Sequence, residues 1–343
     1  MPRLSRVLDT IDADALFAPL DDCRRLGLAV SGGPDSLALM LLARRCARDD
    51  AQRDRFIVYT VDHGLRPEAA DEAAFVVREA GKLGFKARSL RWEGDKPASG
   101  IQAAARLARY RLFSEALRED DVETLLTAHH LGDQAETVLM RMAHGSGLEG
   151  LRGMDYFSQI GDLRIVRPLL GIEPAELRKV VDAAGIVPVA DPSNSDLGYE
   201  RVRWRQVMPQ LAALGLDAKR LARFAERMRD ADRALENLTS RAFAEVSVSD
   251  LLKTVQIDRA LLMSLPRTVA VRVVGRALDR VGDRRKPHAL AAVEALTDRL
   301  IRERARTTLH GCIVRSDGET IRIGKEPGRA DAVARRRKEP SVP

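Results

Sequence analysis

Residues 26–42 read Leu26-Gly27-Leu28-Ala29-Val30-Ser31-Gly32-Gly33-Pro34-Asp35-Ser36-Leu37-Ala38-Leu39-Met40-Leu41-Leu42. The first five residues have strand length, and the apolar run from Leu37 continues like a helix. A Gly-rich turn joins them. A strand, a Gly-rich turn and a helix start in that order make an anion cradle. Glycine lets the backbone come close to a ligand, and the free N–H groups and positive dipole end of the helix then face it. No Gly-Lys-Ser/Thr follows, so this is not a Walker A loop. The third glycine of the dinucleotide pattern is missing too. The bland alternative is an ordinary strand-to-helix turn.

The alternation continues downstream. Strands are expected at Phe56–Asp62, Phe85–Trp92, Thr124–Ala128 and Arg164–Val166. Helices are expected at Glu68–Leu83, Ile101–Leu117, Gln134–Met142 and Pro174–Ala184, the last ending at Gly185, with a short helical arm over residues 1–20. Such alternation predicts an α/β fold with a doubly wound parallel sheet, covered on both faces, that binds ligands along its C-terminal edge. After about Pro209 the pattern changes. Lys219–Ala244, Leu261–Arg280 and Pro287–Arg304 read as helices, and Leu309–Val314 with Thr320–Gly324 as a closing hairpin around Asp317-Gly318. The expected organisation is an N-terminal domain over 1–208, a second, mainly helical C-terminal domain over 209–329, and a basic disordered tail over 330–343 containing Arg335-Arg336-Arg337-Lys338.

The 343 residues are 45% hydrophobic, enough for two cores, and carry a net charge of +7 on a surface rich in both signs. That excess suits a polyanionic partner. Aromatics are only 4%, which argues against a platform of several base-stacking rings. Cys23, Cys46 and Cys312 are scattered, so a disulfide framework, a zinc site and an iron–sulfur site are not expected. A reduced, cytoplasmic compartment fits. No signal peptide is legible near the start, and no apolar stretch has transmembrane length, so no membrane partner is expected.

Residues 127–137 read Thr127-Ala128-His129-His130-Leu131-Gly132-Asp133-Gln134-Ala135-Glu136-Thr137, where the fourth strand should end. Asp133, Glu136, Thr137 and Met140 share one helix face. Acids near a helix start need no function to be favourable. Two histidines at the edge of a sheet could grip a phosphate or an amine, and with the acids could also hold zinc.

Ser31 to Ser36 matches SGGxDS, the motif of the ATP pyrophosphatase (PP-loop) family. The motifs that follow narrow the resemblance to the tRNA-isoleucine lysidine synthetases. They are Val61-Asp62-His63-Gly64-Leu65-Arg66, Ala105-Arg106-Leu107-Ala108-Arg109-Tyr110 and His129 to Thr137. Gly145-Ser146-Gly147-Leu148-Glu149-Gly150-Leu151-Arg152-Gly153-Met154, Arg167-Pro168-Leu169 and Asp191-Pro192-Ser193-Asn194-Ser195-Asp196 complete the series. Order and spacing hold over roughly residues 26–205, whereas the C-terminal third matches no motif.

The resemblance implies an enzyme that uses ATP and Mg2+ to adenylate the C2 oxygen of the wobble cytidine in a CAU-anticodon tRNA(Ile). Free L-lysine then displaces AMP to leave lysidine. Ser31, Gly32, Gly33, Pro34, Asp35 and Ser36 would bind the nucleotide, with Asp35 beside the departing phosphates through Mg2+. Arg109, on one helix face with Arg106, would stabilise the α-phosphate. His129 would contact phosphate or the cytidine oxygen, and Asp133 and Glu136 the lysine ammonium. Arg201, Arg203 and Arg205 alternate beside Trp204, either as an edge that tracks tRNA phosphates or as a strand with one solvated face. Asp191 and Asn194 would complete the site or cap a turn. The C-terminal domain would contact tRNA, and a homodimer is left open. Two positions depart from the family: Gly132 replaces the first of two paired aspartates, and Val202 replaces an asparagine. Another PP-loop enzyme, thiolase-like or amidotransferase-like, is the nearest alternative, and a non-catalytic nucleotide- or RNA-binding module is the alternative of another class.

Overall fold

The structure, a computed structural model, describes residues 11–94, 96–97, 99–189, 196–249, 254–282 and 289–326. It divides into two compact units. One comprises Met1–Gly145 with Gly150–Glu226, and the other Ser146–Glu149 with Arg227–Pro343. Among the described residues no helix is long and apolar enough to cross a membrane.

The first unit opens with α1 (Ala13–Phe17), then β1 (Leu26–Ala29) and α2 (Pro34–Cys46). A short α3 (Asp50–Asp54) leads to β2 (Phe56–Asp62), α4 (Ala69–Lys82), β3 (Lys86–Arg91) and α5 (Ile101–Glu119). Then come β4 (Thr124–Leu126), α6 (Leu131–Ala143), the single turn α7 (Leu148–Leu151), whose first two residues belong to the second unit, β5 (Phe157–Ile160) and β6 (Leu163–Val166). It closes with α8 (Pro174–Ala184), α9 (Glu200–Ala213) and the first part of α10 (Ala218–Val246). The sheet order is β3-β2-β1-β4-β6-β5. The first five strands in that order are parallel, and β5 runs antiparallel at the edge. The doubly wound sheet expected from the alternation is therefore present, with β5 as an addition. From β1 the chain winds to one side through β2 and β3, then returns to β1's other flank with β4. This order reversal opens a crevice beyond the C-terminal ends of β1 and β4. The turn at 30–33 and the histidine pair leave from those two ends.

Packing explains the rigidity of that edge. Helix α2 is apolar nearly all round, and Leu37 through Ala43 are all buried. It lies between the sheet and α8, whose Leu177, Val180 and Val181 join the same core as Leu28, Val58 and Leu126. On the opposite sheet face Tyr59, Leu125 and Ile165 pack with Phe113 and Leu117 of α5. Each fully buried leucine contributes roughly 1.5–3 kcal/mol, so the helix that carries Asp35 is held firmly.

The second unit holds the remainder of α10, the helices α11 (Arg259–Ser264), α12 (Arg267–Val281) and α13 (Leu290–Arg302), and a five-stranded sheet. Its strands are β7 (Ser247–Ser249), β8 (Val255–Asp258), β9 (Ala305–Leu309), β10 (Cys312–Ser316) and β11 (Thr320–Lys325), in the order β7-β8-β11-β10-β9 and antiparallel throughout. The hairpin expected around Asp317-Gly318 is β10–β11. The run Leu309–Val314, expected as one strand, instead turns at His310-Gly311, where both residues have positive φ, as a two-residue hairpin of this hand requires. The helix expected over Leu261–Arg280 is interrupted at Leu265, which sits extended before Pro266. The tail 330–343 lies outside the described residues.

Candidate active site

At the end of β1 the turn is built for close approach. Gly32 has φ +84°, and a Cβ there would sit 2.9 Å from Cγ2 of Val189, so only glycine fits. The Val189 amide donates to the Gly32 carbonyl at 2.9 Å and holds the turn from the far side. At Gly33 an added Cβ would meet only the Ser31 hydroxyl, at 3.7 Å, which leaves that face open. Gly33 is also the N-cap of α2 and supplies no side-chain cap, while Pro34 has no N–H to satisfy. The first-turn amides therefore present their dipole end to the open face. Ser36 ties the turn together. Its hydroxyl accepts from the Ser31 amide at 3.1 Å, donates to the Gly33 carbonyl at 2.9 Å and lies 3.3 Å from the Ser31 hydroxyl.

Beyond β4, His130 caps α6 in an unusual capping box. Its Nδ1 accepts from the amides of Gly132 and Asp133 at 3.0 and 3.3 Å, while its own amide donates to Asp133 Oδ2 at 2.9 Å. With Nδ1 an acceptor, the neutral ring carries its hydrogen on Nε2. Nε2 lies 3.5 Å from Asp35 Oδ2 and 3.6 Å from Asp133 Oδ2, so His130 joins the two loops. Burial opposes charge on this ring, but Asp35, Asp133 and Glu136 outweigh it and raise its pKa. Gly132 is necessary here: a Cβ would stand 2.9 Å from Cε1 of His130. A side chain at this position would push the ring aside.

His129 behaves oppositely. Burial, with the charges of Arg167, Arg201 and Arg106, overcomes the pull of Asp133 and lowers its pKa to about 4. It is uncharged at neutral pH, with Nδ1 2.9 Å from the Thr127 hydroxyl. Asp133 is buried, yet His130, when protonated, and Arg201 more than offset desolvation and lower its pKa.

Asp133 and Glu136 do share one face, as the spacing predicts, and that face meets α9. Glu136 is 2% exposed. Arg201 Nε donates to its Oε2 at 2.8 Å, and Arg205 Nε to its Oε1 at 2.8 Å. Arg201 Nη2 lies 3.2 Å from Asp133 Oδ1, and Arg205 Nη2 3.7 Å. Residues 200–213 form a helix, which corrects the strand reading of Arg201, Arg203 and Arg205. Apart from Val202 and Val207 the segment lacks β-branched residues and is rich in Arg, Gln, Leu and Ala, which favour helix. Arg201 and Arg205 are then i and i+4 on one face, while Arg203 turns away and donates to the carbonyls of Leu197 and Gly198. Trp204 packs against Ala135, Val138 and Leu139 of α6 and donates to Glu200 at 3.3 Å. Val202 is buried, an apolar packing role in place of asparagine hydrogen bonding.

Other motif residues brace the site. Gln134 makes paired bonds to Met154, donating to its carbonyl at 3.0 Å and accepting from its amide at 2.7 Å. Gly153 has φ +69°, and any Cβ would lie 2.7 Å from that amide group. Arg141 donates to the carbonyls of Gly150 and Gly153 at 2.8 and 2.7 Å. Arg106 and Arg109 flank the Tyr110 ring at 5.0 and 6.0 Å, and it is Arg106 whose charge acts on His129. Arg109 has no ion-pair partner among the described residues. Asp191 and Asn194 lie outside them. The sequence reading missed Val189, which bears on Gly32, and gave Thr127 and Arg167, though quoted in its motifs, no part beside His129. It also missed the pairing of Arg201 and Arg205 with the acids, for which their i, i+4 spacing was the available signal.

Comparison with known proteins adds the following. Residues 7–211 match the PP-loop domain family. The chain is 40% identical over 343 residues to the tRNA(Ile)-lysidine synthase of Bradyrhizobium sp. strain BTAi1, covering 94% of this chain and 96% of that one. It is 44% identical over 315 residues to the tRNA(Ile)-lysidine synthase of Methylobacterium nodulans, covering 88% and 90%. Among solved structures, the U34-tRNA thiolase NcsA from Methanococcus maripaludis with its 4Fe–4S cluster aligns with a TM-score of 0.53 at 17% identity, over 66% of this chain and 78% of that one. At that identity the likeness concerns the fold alone.

Proposed function

We propose, from the premise that this chain belongs to the tRNA(Ile)-lysidine synthase family of PP-loop enzymes, that the β1/β4 crevice couples ATP cleavage to attachment of lysine at a wobble cytidine. The chain is an ATP-using, tRNA-modifying ligase. The observation that carries the finer reading is the approach of Asp35 and His130, 3.5 Å apart, each at the start of a helix leaving an adjacent strand. It puts a phosphate cradle beside a cluster of three carboxylates and two guanidiniums.

In this reading ATP lays its phosphates over Gly33 and the first-turn amides of α2, with the Ser31 hydroxyl at the rim. Asp35, whose side chain is 37% exposed, has His130 as its one salt-bridge partner among the described residues. Such a carboxylate fits Mg2+, which takes one or two protein carboxylates and fills its other positions with water and phosphate oxygens. Bound there, Mg2+ would neutralise charge on the departing pyrophosphate. The cytidine C2 oxygen attacks the α-phosphate and pyrophosphate leaves. Uncharged His129 offers a hydrogen bond to phosphate or to that oxygen, and Arg109 stabilises the charge that develops. The lysine ε-ammonium then gives up a proton, for which Asp133 and Glu136 are the acceptors at hand, and the free amine attacks C2 as AMP leaves.

Asp133 and Glu136 receive the ammonium of lysine. Arg201 and Arg205, half-exposed on the solvent side of these buried acids, yield one acceptor position and turn toward the α-carboxylate. Arg203 faces the tRNA backbone. Pyrophosphate release should require a transcript with cytidine at the wobble position, and should continue beyond one turnover only with lysine present to clear the adenylate; Asp35→Ala should lower it by about a hundredfold or more. Equal turnover on transcripts that differ at the wobble base, or an undiminished Asp35→Ala rate, would overturn the assignment.

A further inference from the structure

The solvent face of the second unit's sheet carries a row of like charge. In the register of β9, β10 and β11, Arg315 stands directly opposite Arg306 on one side and Arg322 on the other. Gln256 of β8 continues the row opposite Arg322. All four are exposed. The alternate residues Val255, Ile257, Ala305, Cys312, Val314, Ile321 and Ile323 are buried on the other face, which fixes the register. Arg322 has a loose ion pair with Asp317 at 3.7 Å. Arg306 and Arg315 have no carboxylate within salt-bridge distance among the described residues.

Like charges directly opposite each other destabilise a sheet. Cationic side chains are commonly placed on edge strands to block aggregation. That explanation covers Arg306 on β9, but β10 and β11 are interior strands. Three guanidiniums across neighbouring strands span about 10 Å, and the next row on this face holds Thr308, Ile313 and Gly324. Guanidinium forks match phosphate oxygens, and no aromatic ring stands in the row to stack a base. We infer that the row Arg306–Arg315–Arg322 is a docking strip for the sugar–phosphate backbone of the tRNA substrate, positioning it without reading sequence. This rests on the proposed function, which supplies the RNA.

The test uses the full chain and measures equilibrium binding of a CAU-anticodon tRNA transcript across a salt series. Arg306→Gln, Arg315→Gln and Arg322→Gln combined should weaken binding about tenfold or more and reduce the log–log salt slope by about 2. The KM for ATP should not change. Arg315→Glu alone should also weaken binding while raising Tm, because it places an acid between two arginines. Arg315→Lys keeps the charge and should keep the salt slope, with a smaller loss of affinity than Arg315→Glu. Unchanged affinity and slope in the triple variant and in Arg315→Glu would overturn the inference and leave the row a solvated face. Lysidine formation by the wild-type chain is scored separately, so loss of the proposed function and loss of the docking strip give different results.

Discussion

Glycine 132 shows how one side chain's absence organises the centre. Without a Cβ the His130 ring folds over the start of α6, caps it and reaches Asp35. Adding a carboxylate by Gly132→Asp should therefore harm this chain. Loss of the cap costs roughly 0.5–2 kcal/mol, and a thermal melt should show it together with slower pyrophosphate release. Glu136→Gln keeps the shape but leaves two guanidiniums facing a neutral amide. The KM for lysine should rise about tenfold, since a charge-assisted hydrogen bond is worth ~1.5–3 kcal/mol. The KM for ATP should barely move. Loss of ATP affinity with an unchanged lysine KM would instead make these acids magnesium ligands. The shared face of Asp133 and Glu136 was legible because helix spacing fixes it locally. Their arginine partners were not, because Glu136 and Arg201 are 65 positions apart and only the tertiary fold joins them.

At the scale of elements, β1, β2 and β4 were legible because each is a short apolar run buried almost throughout, whereas β3 at the sheet edge is mostly exposed. Strand β5 was not legible: Phe157–Ile160 is largely exposed and carries no apolar alternation. The break at Leu265-Pro266 was readable in principle from the proline alone. The turn between β1 and α2 is the element on which most depends, and Gly32→Ala tests it. A Cβ at φ +84° costs about 1–2 kcal/mol, and its 2.9 Å approach to Val189 must also be relieved. We expect a lower melting temperature and a raised ATP KM, with tRNA affinity nearly intact. Equal loss of ATP and tRNA binding would mean that the turn's disturbance spreads beyond the cradle.

For the molecule as a whole, acid sensitivity follows from a half-buried, uncharged histidine. The pKa of His129 is about 4 in the folded chain against about 6.5 when unfolded. Between those values the unfolded chain binds a proton that the native state does not. Its contribution to stability is complete above pH 6.5 and is lost as pH falls toward 4. His130, with a raised pKa, acts in the opposite direction: its contribution is present at low pH and lost as pH rises through the folded value. Comparison with His129→Gln isolates the first effect. Between pH 7 and pH 5 the wild-type urea midpoint should fall further than that of the variant, and parallel curves would show that His129 is protonated equally in both states.

The late position of Arg201 and Arg205 also has a consequence for biosynthesis. Chains emerge at roughly 5–20 residues per second, so the 65 positions between Glu136 and Arg201 take several seconds to make. During that interval the strands and helices up to α6 are already available, but two carboxylates destined for burial have no cations to meet. The nascent chain must keep the α6 face wet until α9 is delivered. A ribosome stalled between these segments would hold a partly folded protein whose glycine turn after β1 exists before the guanidinium partners of Asp133 and Glu136 do.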